Sequence, residues 1–197
     1  MTDMDQPLGM AVGNSLEVRE AIAVLRNEGP KELTEVSLIL GAKMLVLGGK
    51  AADETEARGL LQAALALGSG LNKFREWVAA QGGNPRIADD PDLLPLSHAT
   101  RVVASPRAGY IAGYDAERVG RAAMLLGAGR ARKDDVIDPG AGLVLVKRAG
   151  ERVEAGEPLA TLYAAVEGML DSGESRFLSA VRFSDTPVEA PPLVHHL

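Results

Sequence analysis

The sequence predicts an α/β protein of the α+β kind, a helical segment followed by a part built from short strands. Three observations carry that expectation: four consecutive helix signatures, a change of hydrophobic period near Pro95, and later apolar runs separated by glycine turns. The first helix starts at Asn14, placed to cap while Glu17, three residues on, reaches back. Val18, Ile22 and Leu25 then recur at helical spacing, and Gly29-Pro30 ends the run. The second helix runs from about Lys31 to Leu47, with Glu32 and Glu35 in its first turns, where the positive end of the helix dipole favours them. Its later half, LILGAKMLVLG, is apolar on nearly every side, which predicts a helix buried between neighbours. The third opens on Asp53 with Glu56, carries Leu60, Leu61, Ala64 and Leu65, and stops at Gly68. The fourth begins at Ser69, places Leu71, Phe74 and Val78 on one stripe, and ends at Gly82-Gly83. Trp77, beside that stripe, reads as a core or interface anchor.

After Pro95 the signals change. TRVVASPRAGYIAGYD predicts two short strands around the turn SPRAG, and AERVGRAAMLLGAGR a helix with Val119, Ala123 and Leu126 on one face. DVIDPGAGLVLVKRAG and ERVEAGEPLATLYAA add further strand runs, turning at Gly140, Gly142, Gly150 and Gly156. Residues 166–183 carry a weaker helical pattern interrupted by Gly173, and the proline-rich tail SDTPVEAPPLVHHL is expected to hold at most an edge strand.

Composition limits the function. The chain has 197 residues, 46% of them hydrophobic, which is enough for a sizeable core. A net charge of −6 argues against a nucleic-acid partner, whose phosphates call for a basic surface. The absence of cysteine removes disulfides, thiol nucleophiles and thiolate metal ligands. MTDMDQPLG lacks the basic flank and apolar run of a secretory signal, and no run is long enough to span a bilayer, so a cytoplasmic protein without a membrane partner is expected.

Catalytic candidates are few. His98, His195 and His196 have no partners at metal or triad spacing, and none of the nine serines sits in a G-x-S-x-G elbow. LLGAGRARKDD departs from the phosphate-loop pattern, because its lysine does not follow the second glycine; Gly127 and Gly129 read instead as a helix end, with Arg130, Arg132 and Lys133 as its cationic flank. GERVEAGEPLATLYA looks like half of a biotinyl- or lipoyl-type module, but the corresponding turn, SPRAGYI, offers Arg107 where a carrier lysine belongs. The opening stretch DMDQPLGMAVGNSLEVREA is the remaining candidate. The small residues Gly9, Ala11 and Gly13 let main-chain carbonyls approach an ion, so Leu8 and Ala11 are candidate ligands through oxygen, with Glu20 leaning back from the helix. The competing reading leaves Glu17 and Glu20 to complement the helix dipole and Asp3 and Asp5 to solvent.

At TDMDQPLGMAVGNSLEVREAI and LGAGRARKDDVIDPGAGLVLVKRAGERVEAGEPLATLYA, and again at EGPKELTEVSLILGAKML and FREWVAAQGG, the sequence closely resembles the thymidine and pyrimidine-nucleoside phosphorylases. The resemblance covers their C-terminal portion, a little under half of a usual member. It implies that residues 1–96 are the mainly helical part of the family's large α/β domain, and that residues 97–197 are its C-terminal α+β subdomain. The reaction implied is reversible phosphorolysis of a pyrimidine (deoxy)nucleoside to base and pentose 1-phosphate, in a homodimer. The family's phosphate motif, of Lys-x-Ser-Thr-Gly-Gly type, and its base-binding Arg, Ser and Lys have no counterpart here. No catalytic residue is therefore assigned, and the chain alone is expected to be inactive. The resemblance also implies a potassium site near the phosphate loop, to which Leu8 and Ala11 contribute main-chain oxygens and Glu20 its side chain. The alternative is a noncatalytic binding or regulatory module that keeps the same fold.

Overall fold

The structure is a computed structural model that describes residues 2–195. The chain divides into two compact units, one formed by residues up to Val18 and from Pro95 on, the other by Arg19–Leu94. The four expected helices are present: α1 (Asn14–Leu25), α2 (Lys31–Leu47), α3 (Glu54–Ala66) and α4 (Ser69–Ala80). Asp53 caps α3 by accepting from the Glu56 amide at 2.9 Å, while the Glu56 carboxylate accepts from the Ala52 amide at 2.7 Å. The Asp53 side chain thus satisfies a helical donor as the capping-box pattern requires, whereas Glu56 reaches one residue beyond the cap, to Ala52. The end of α1 differs from expectation. Asn27 takes a left-handed conformation (φ +63°) before Gly29 is reached, a role asparagine fills at low cost.

In the helical unit α2 and α3 meet where Gly41 has no side chain; a Cβ there would lie 2.9 Å from Leu61 Cδ1. Arg58 closes the edge of this contact, donating to both Glu35 oxygens at 3.0 and 2.6 Å. The segment after α4 folds back through short 3-10 turns at Pro85–Ala88 and Pro91–Leu93, held by arginines. Arg26 donates to the Ala88 and Asp89 carbonyls, and Arg19 to Asp92 Oδ1 and the Leu94 carbonyl.

One expectation for this unit fails and another narrows. Only Val36, Leu38 and Ala42 of α2 are buried, whereas Leu40, Met44 and Leu47 are 46%, 72% and 87% exposed, so α2 is not enclosed by neighbours. Apolar residues around a whole helix demand cover, and within the helical unit nothing among the described residues supplies it at Leu40, Met44 and Leu47. Of the core or interface role expected of Trp77, the core half is ruled out: it is 60% exposed, with its ring tilted against Phe74 at a centroid distance of 6.1 Å.

The Glu35–Arg58 pair also makes the helical unit acid-sensitive. The guanidinium holds the Glu35 carboxyl below its usual value of 4.5, chiefly by hydrogen bonding. A depressed carboxylate contributes stability above the unfolded value, and this is lost as pH falls through the folded one. The effect is small, because the two side chains are 36% and 42% exposed. Urea melts at about pH 6 and about pH 3 should show Arg58→Met flattening this part of the pH dependence; an unchanged difference between wild type and variant at both pH values would reject the coupling.

The other unit holds two antiparallel sheets. One is four-stranded in the order β1 (Ala11–Val12), β4 (Gly142–Leu145), β6 (Pro158–Ala164) and β2 (Ala99–Ala104). The other is three-stranded, β5 (Arg152–Val153), β3 (Gly109–Tyr114) and β7 (Val181–Ser184). The strands flanking SPRAG form as expected but do not pair with each other: β2 pairs with β6, and β3 with β5 and β7. The turn therefore carries the chain from one sheet to the other. Arg107 at its tip pairs with Asp185 and lies over the Phe183 ring.

The helices of this unit are α5 (Ala116–Ala123), continued by a wider turn over Met124–Ala128, and α6 (Leu170–Leu178). Val119, Leu126, Leu143, Leu162 and Phe177 are fully buried between the helices and the strands. Burial also pushes the Tyr114 phenol well above its ordinary value, and its hydroxyl donates to the Lys147 carbonyl at 2.7 Å. Gly173 does not interrupt a helix, contrary to expectation. It lies inside α6, where a Cβ would meet Leu126 Cδ2 at 2.4 Å, so the glycine serves close packing. The pattern read as helix to residue 183 ends instead in β7, because Val181 and Phe183 find a partner in β3. The tail contributes an isolated antiparallel bridge, Val194 with Thr2.

Candidate functional site

The opening stretch is held in place by residues far along the chain. Arg148 is 8% exposed, and its Nη1 donates to the Gly9 carbonyl at 2.7 Å and the Pro7 carbonyl at 3.0 Å. Its Nη2 lies 3.4 Å from the Leu8 carbonyl. Three consecutive carbonyls thus converge on one buried cation. Beyond them Met10 accepts from the Leu145 amide at 2.7 Å, and β1 pairs with β4 with Ala11 opposite Val144. Hydrogen-bonded and non-bonded pairs alternate along an antiparallel ladder, so the Ala11 carbonyl is turned away from β4, toward the outer edge of the sheet.

Two glycines permit this pairing. Gly13 (φ +146°) and Gly142 (φ +145°) cross so closely that a Cβ on Gly13 would lie 2.5 Å from the Ala141 oxygen, and one on Gly142 would lie 2.2 Å from the Val12 oxygen. Helix α1 then begins, with its capping arrangement displaced by one residue from expectation. The Glu17 carboxylate accepts from the Gly13 amide at 3.0 Å, and the Asn14 side chain donates to the Ala128 carbonyl at 3.0 Å instead of capping. A long-range partner has drawn Asn14 away from the helix end.

Among the sequence-predicted ligands, Leu8 and Ala11 belong to the unit that contains the sheets, and Glu20 is half-buried on α1 within Arg19–Leu94. Arg148 is the residue that sequence reasoning missed. KRAG gave no signal for it, because its partners lie about 140 positions away.

The remaining candidates take ordinary structural roles. In LLGAGRARKDD the Asp135 carboxylate accepts from the Ala131 amide at 3.0 Å and the Arg132 amide at 2.7 Å, taking donors that a phosphate loop would keep for its ligand. Ser97 donates to Asp138 at 2.7 Å, and Asp138 in turn holds the Gly140 amide at 2.8 Å, which pins the DPGAG turn. His98 is exposed, and His196 lies outside the described residues. No group of three or more His, Cys, Asp or Glu among the described residues is arranged to hold a metal, and no helix there is long and apolar enough to cross a membrane.

Comparison with known proteins agrees with this architecture. Residues 110–184, which include strands of both sheets together with α5 and α6, match the pyrimidine nucleoside phosphorylase C-terminal domain. The fold and this match define the class: a C-terminal α+β domain of the nucleoside-phosphorylase type. The similarity extends well beyond that domain. The chain is 44% identical over 195 residues to the pyrimidine-nucleoside phosphorylase of Geobacillus stearothermophilus, covering 99% of this chain and 45% of the relative. It is 44% identical over 197 residues to that of Bacillus subtilis, and 42% identical to one from Staphylococcus epidermidis, each over 100% of this chain and 45% of the relative. Along essentially its whole length the chain is similar to the C-terminal portion of pyrimidine-nucleoside phosphorylases, and it spans about 45% of the length of the curated relatives it matches.

Proposed function

We propose that this chain acts as the C-terminal part of a pyrimidine-nucleoside phosphorylase. In the reaction a phosphate oxygen attacks the anomeric carbon of a pyrimidine (deoxy)nucleoside, the C–N bond breaks, and the base leaves with the bond electrons and takes up a proton. Pentose 1-phosphate is the second product, and the reverse direction rebuilds the nucleoside. The observation that carries this reading is identity at 44% maintained over 99% of the chain, not confined to one domain. The phosphate- and base-binding groups belong, in this reading, to the part of the relatives that the chain does not span. The assembled enzyme would work as a cytoplasmic homodimer.

The chain's own contribution would be to the potassium ion. Leu8 and Ala11 offer main-chain oxygens and Glu20 a carboxylate, and the ion would supply a fixed positive charge that steadies an adjacent phosphate loop. To test both claims, the chain is co-expressed with the N-terminal part of the Geobacillus stearothermophilus enzyme, and phosphate-dependent release of uracil and thymine is followed. Activity is expected in the combination and in neither part alone. Replacing potassium by a bulky organic cation should lower the rate, and Glu20→Gln should raise the half-activating potassium concentration by about tenfold, the loss of one charged ligand. A combination that assembles but releases no base would favour the noncatalytic reading. A rate indifferent to potassium would reject the ligand assignment.

A further inference from the structure

The carbonyls of the opening stretch are engaged unequally. Those of Gly9 and Pro7 accept from Arg148 Nη1 at 2.7 and 3.0 Å, and that of Met10 accepts from the Leu145 amide at 2.7 Å. The Leu8 carbonyl stands 3.4 Å from Arg148 Nη2, a distance at which a hydrogen bond is weak. The Ala11 carbonyl is turned toward the outer edge of the sheet. Leu8 and Ala11, the two candidate main-chain ligands, are thus the ones that these strong contacts pass over. A carbonyl oxygen has two lone pairs, so the Leu8 oxygen keeps capacity for an ion beside the guanidinium. A guanidinium this close to a ligand oxygen also enters the energetics of whatever ion that oxygen holds, because like charges repel in proportion to their product.

We infer that Arg148 is a positioning residue for the cation and shifts the site's preference toward a monovalent ion: it orients the Leu8 oxygen by gathering the turn at Pro7–Gly9, and its charge penalises an incoming ion in proportion to that ion's own charge. The inference rests on the cation reading of Leu8 and Ala11. It adds a residue that acts through a ligand and lies within residues 110–184, the part that matches the C-terminal domain. The two effects are separable. Orienting the turn raises affinity for every ion by the same factor, since binding scales with the fraction of molecules in which the turn is ordered. The charge acts unequally, twice as strongly on calcium as on potassium. The Glu151 carboxylate, which accepts from the Arg148 amide, contributes its own potential. Potentials sum, so the difference made by removing the guanidinium keeps its sign.

The test titrates potassium chloride and calcium chloride into this chain and into its combination with the N-terminal part of the Geobacillus stearothermophilus enzyme, with ionic strength held constant by tetramethylammonium chloride. Half-saturation is read from the rise in melting temperature and from the slowing of amide exchange in residues 3–13, neither of which needs turnover. In wild type potassium should slow exchange in these residues. Arg148→Met should speed their exchange without added ion and raise the ratio of calcium to potassium affinity by about tenfold, the scale of one unit charge removed from a partly solvated site. Arg148→Lys keeps the charge without the planar fork, so it should loosen the turn and leave the ratio at its wild-type value. A residue that merely braces the fold would weaken both ions alike in both variants; a constant ratio in Arg148→Met therefore overturns the inference, as does a ratio that moves equally in the methionine and lysine variants. Failure of the underlying reading is distinguishable. Wild-type amides that respond to neither ion in either preparation remove the cation site and the role of Arg148 with it, whereas a potassium response with a constant ratio removes the role and keeps the site.

Discussion

Gly142→Ala is expected to destabilise the sheet-containing unit by about 3 kcal/mol, the sum of backbone strain and overpacking at a crowded site. The new methyl would lie 2.2 Å from the Val12 carbonyl oxygen and 3.0 Å from the Gly13 Cα, and the residue would sit at φ +145°, where side chains are rarely tolerated. Neither backbone can retreat easily, because β4 is paired on its other side with β6 over Gly142–Leu145. The weaker partner gives way, and that is the two-residue strand β1. Amide exchange should therefore accelerate in residues 10–15 before it changes in β6. For a chain of this size the shift in melting temperature is roughly 6–12 °C. Gly156→Ala separates the two causes: its φ is +84° but nothing lies within 4 Å of the added carbon, so its cost should be about 1 kcal/mol, from strain alone. Equal losses at the two glycines would show that close approach of β1 to β4 is not what Gly142 provides.

Arg148→Met should cost about 3 kcal/mol, the range for removing a buried charged donor and leaving its acceptors uncompensated. Methionine preserves much of the aliphatic stem but deletes the donors to the Pro7, Leu8 and Gly9 carbonyls. The predicted damage is local: amides of residues 3–13 exchange faster while the helical unit, Arg19–Leu94, keeps its melting behaviour. Arg148→Lys should recover part of the loss, since one ammonium cannot reproduce a planar guanidinium spread over three carbonyls. If exchange in the opening stretch is unchanged in Arg148→Met, the guanidinium is not what organises it. The result also bears on the cation proposal, because Leu8 can serve as a ligand only if the loop that presents its oxygen is ordered.

The sequence was most legible where structure is local. Start and stop signals placed all four helices of the first half to within a few residues, because capping boxes and glycine ends act over three or four positions. Asp53 caps as the pattern says. Asn14–Glu17 does not, and the reason is a competing acceptor, the Ala128 carbonyl, that no local rule can anticipate. The same cause governs the strand pairing. The runs on either side of SPRAG were recognisable, but their pairing depends on β6, β5 and β7, up to about 70 residues away. Gly173 looked like a helix breaker because its effect on propensity is visible in sequence, whereas its contact with Leu126 is not.

For the candidate site, the sequence supplied the residue types and the family resemblance supplied their meaning: small residues around Leu8 and Ala11, a glutamate at position 20, and motifs shared with pyrimidine-nucleoside phosphorylases. It determined by itself the helices, the α+β class and the family resemblance, since these depend on short-range periodicity and on motifs that survive as strings. Tertiary structure alone decided that the opening stretch joins the second half as an edge strand, that Arg148 gathers its carbonyls, and that Leu40, Met44 and Leu47 of α2 are exposed. Those three outcomes come from hydrogen bonds and packing between distant segments, whose geometry exists only once the chain has folded.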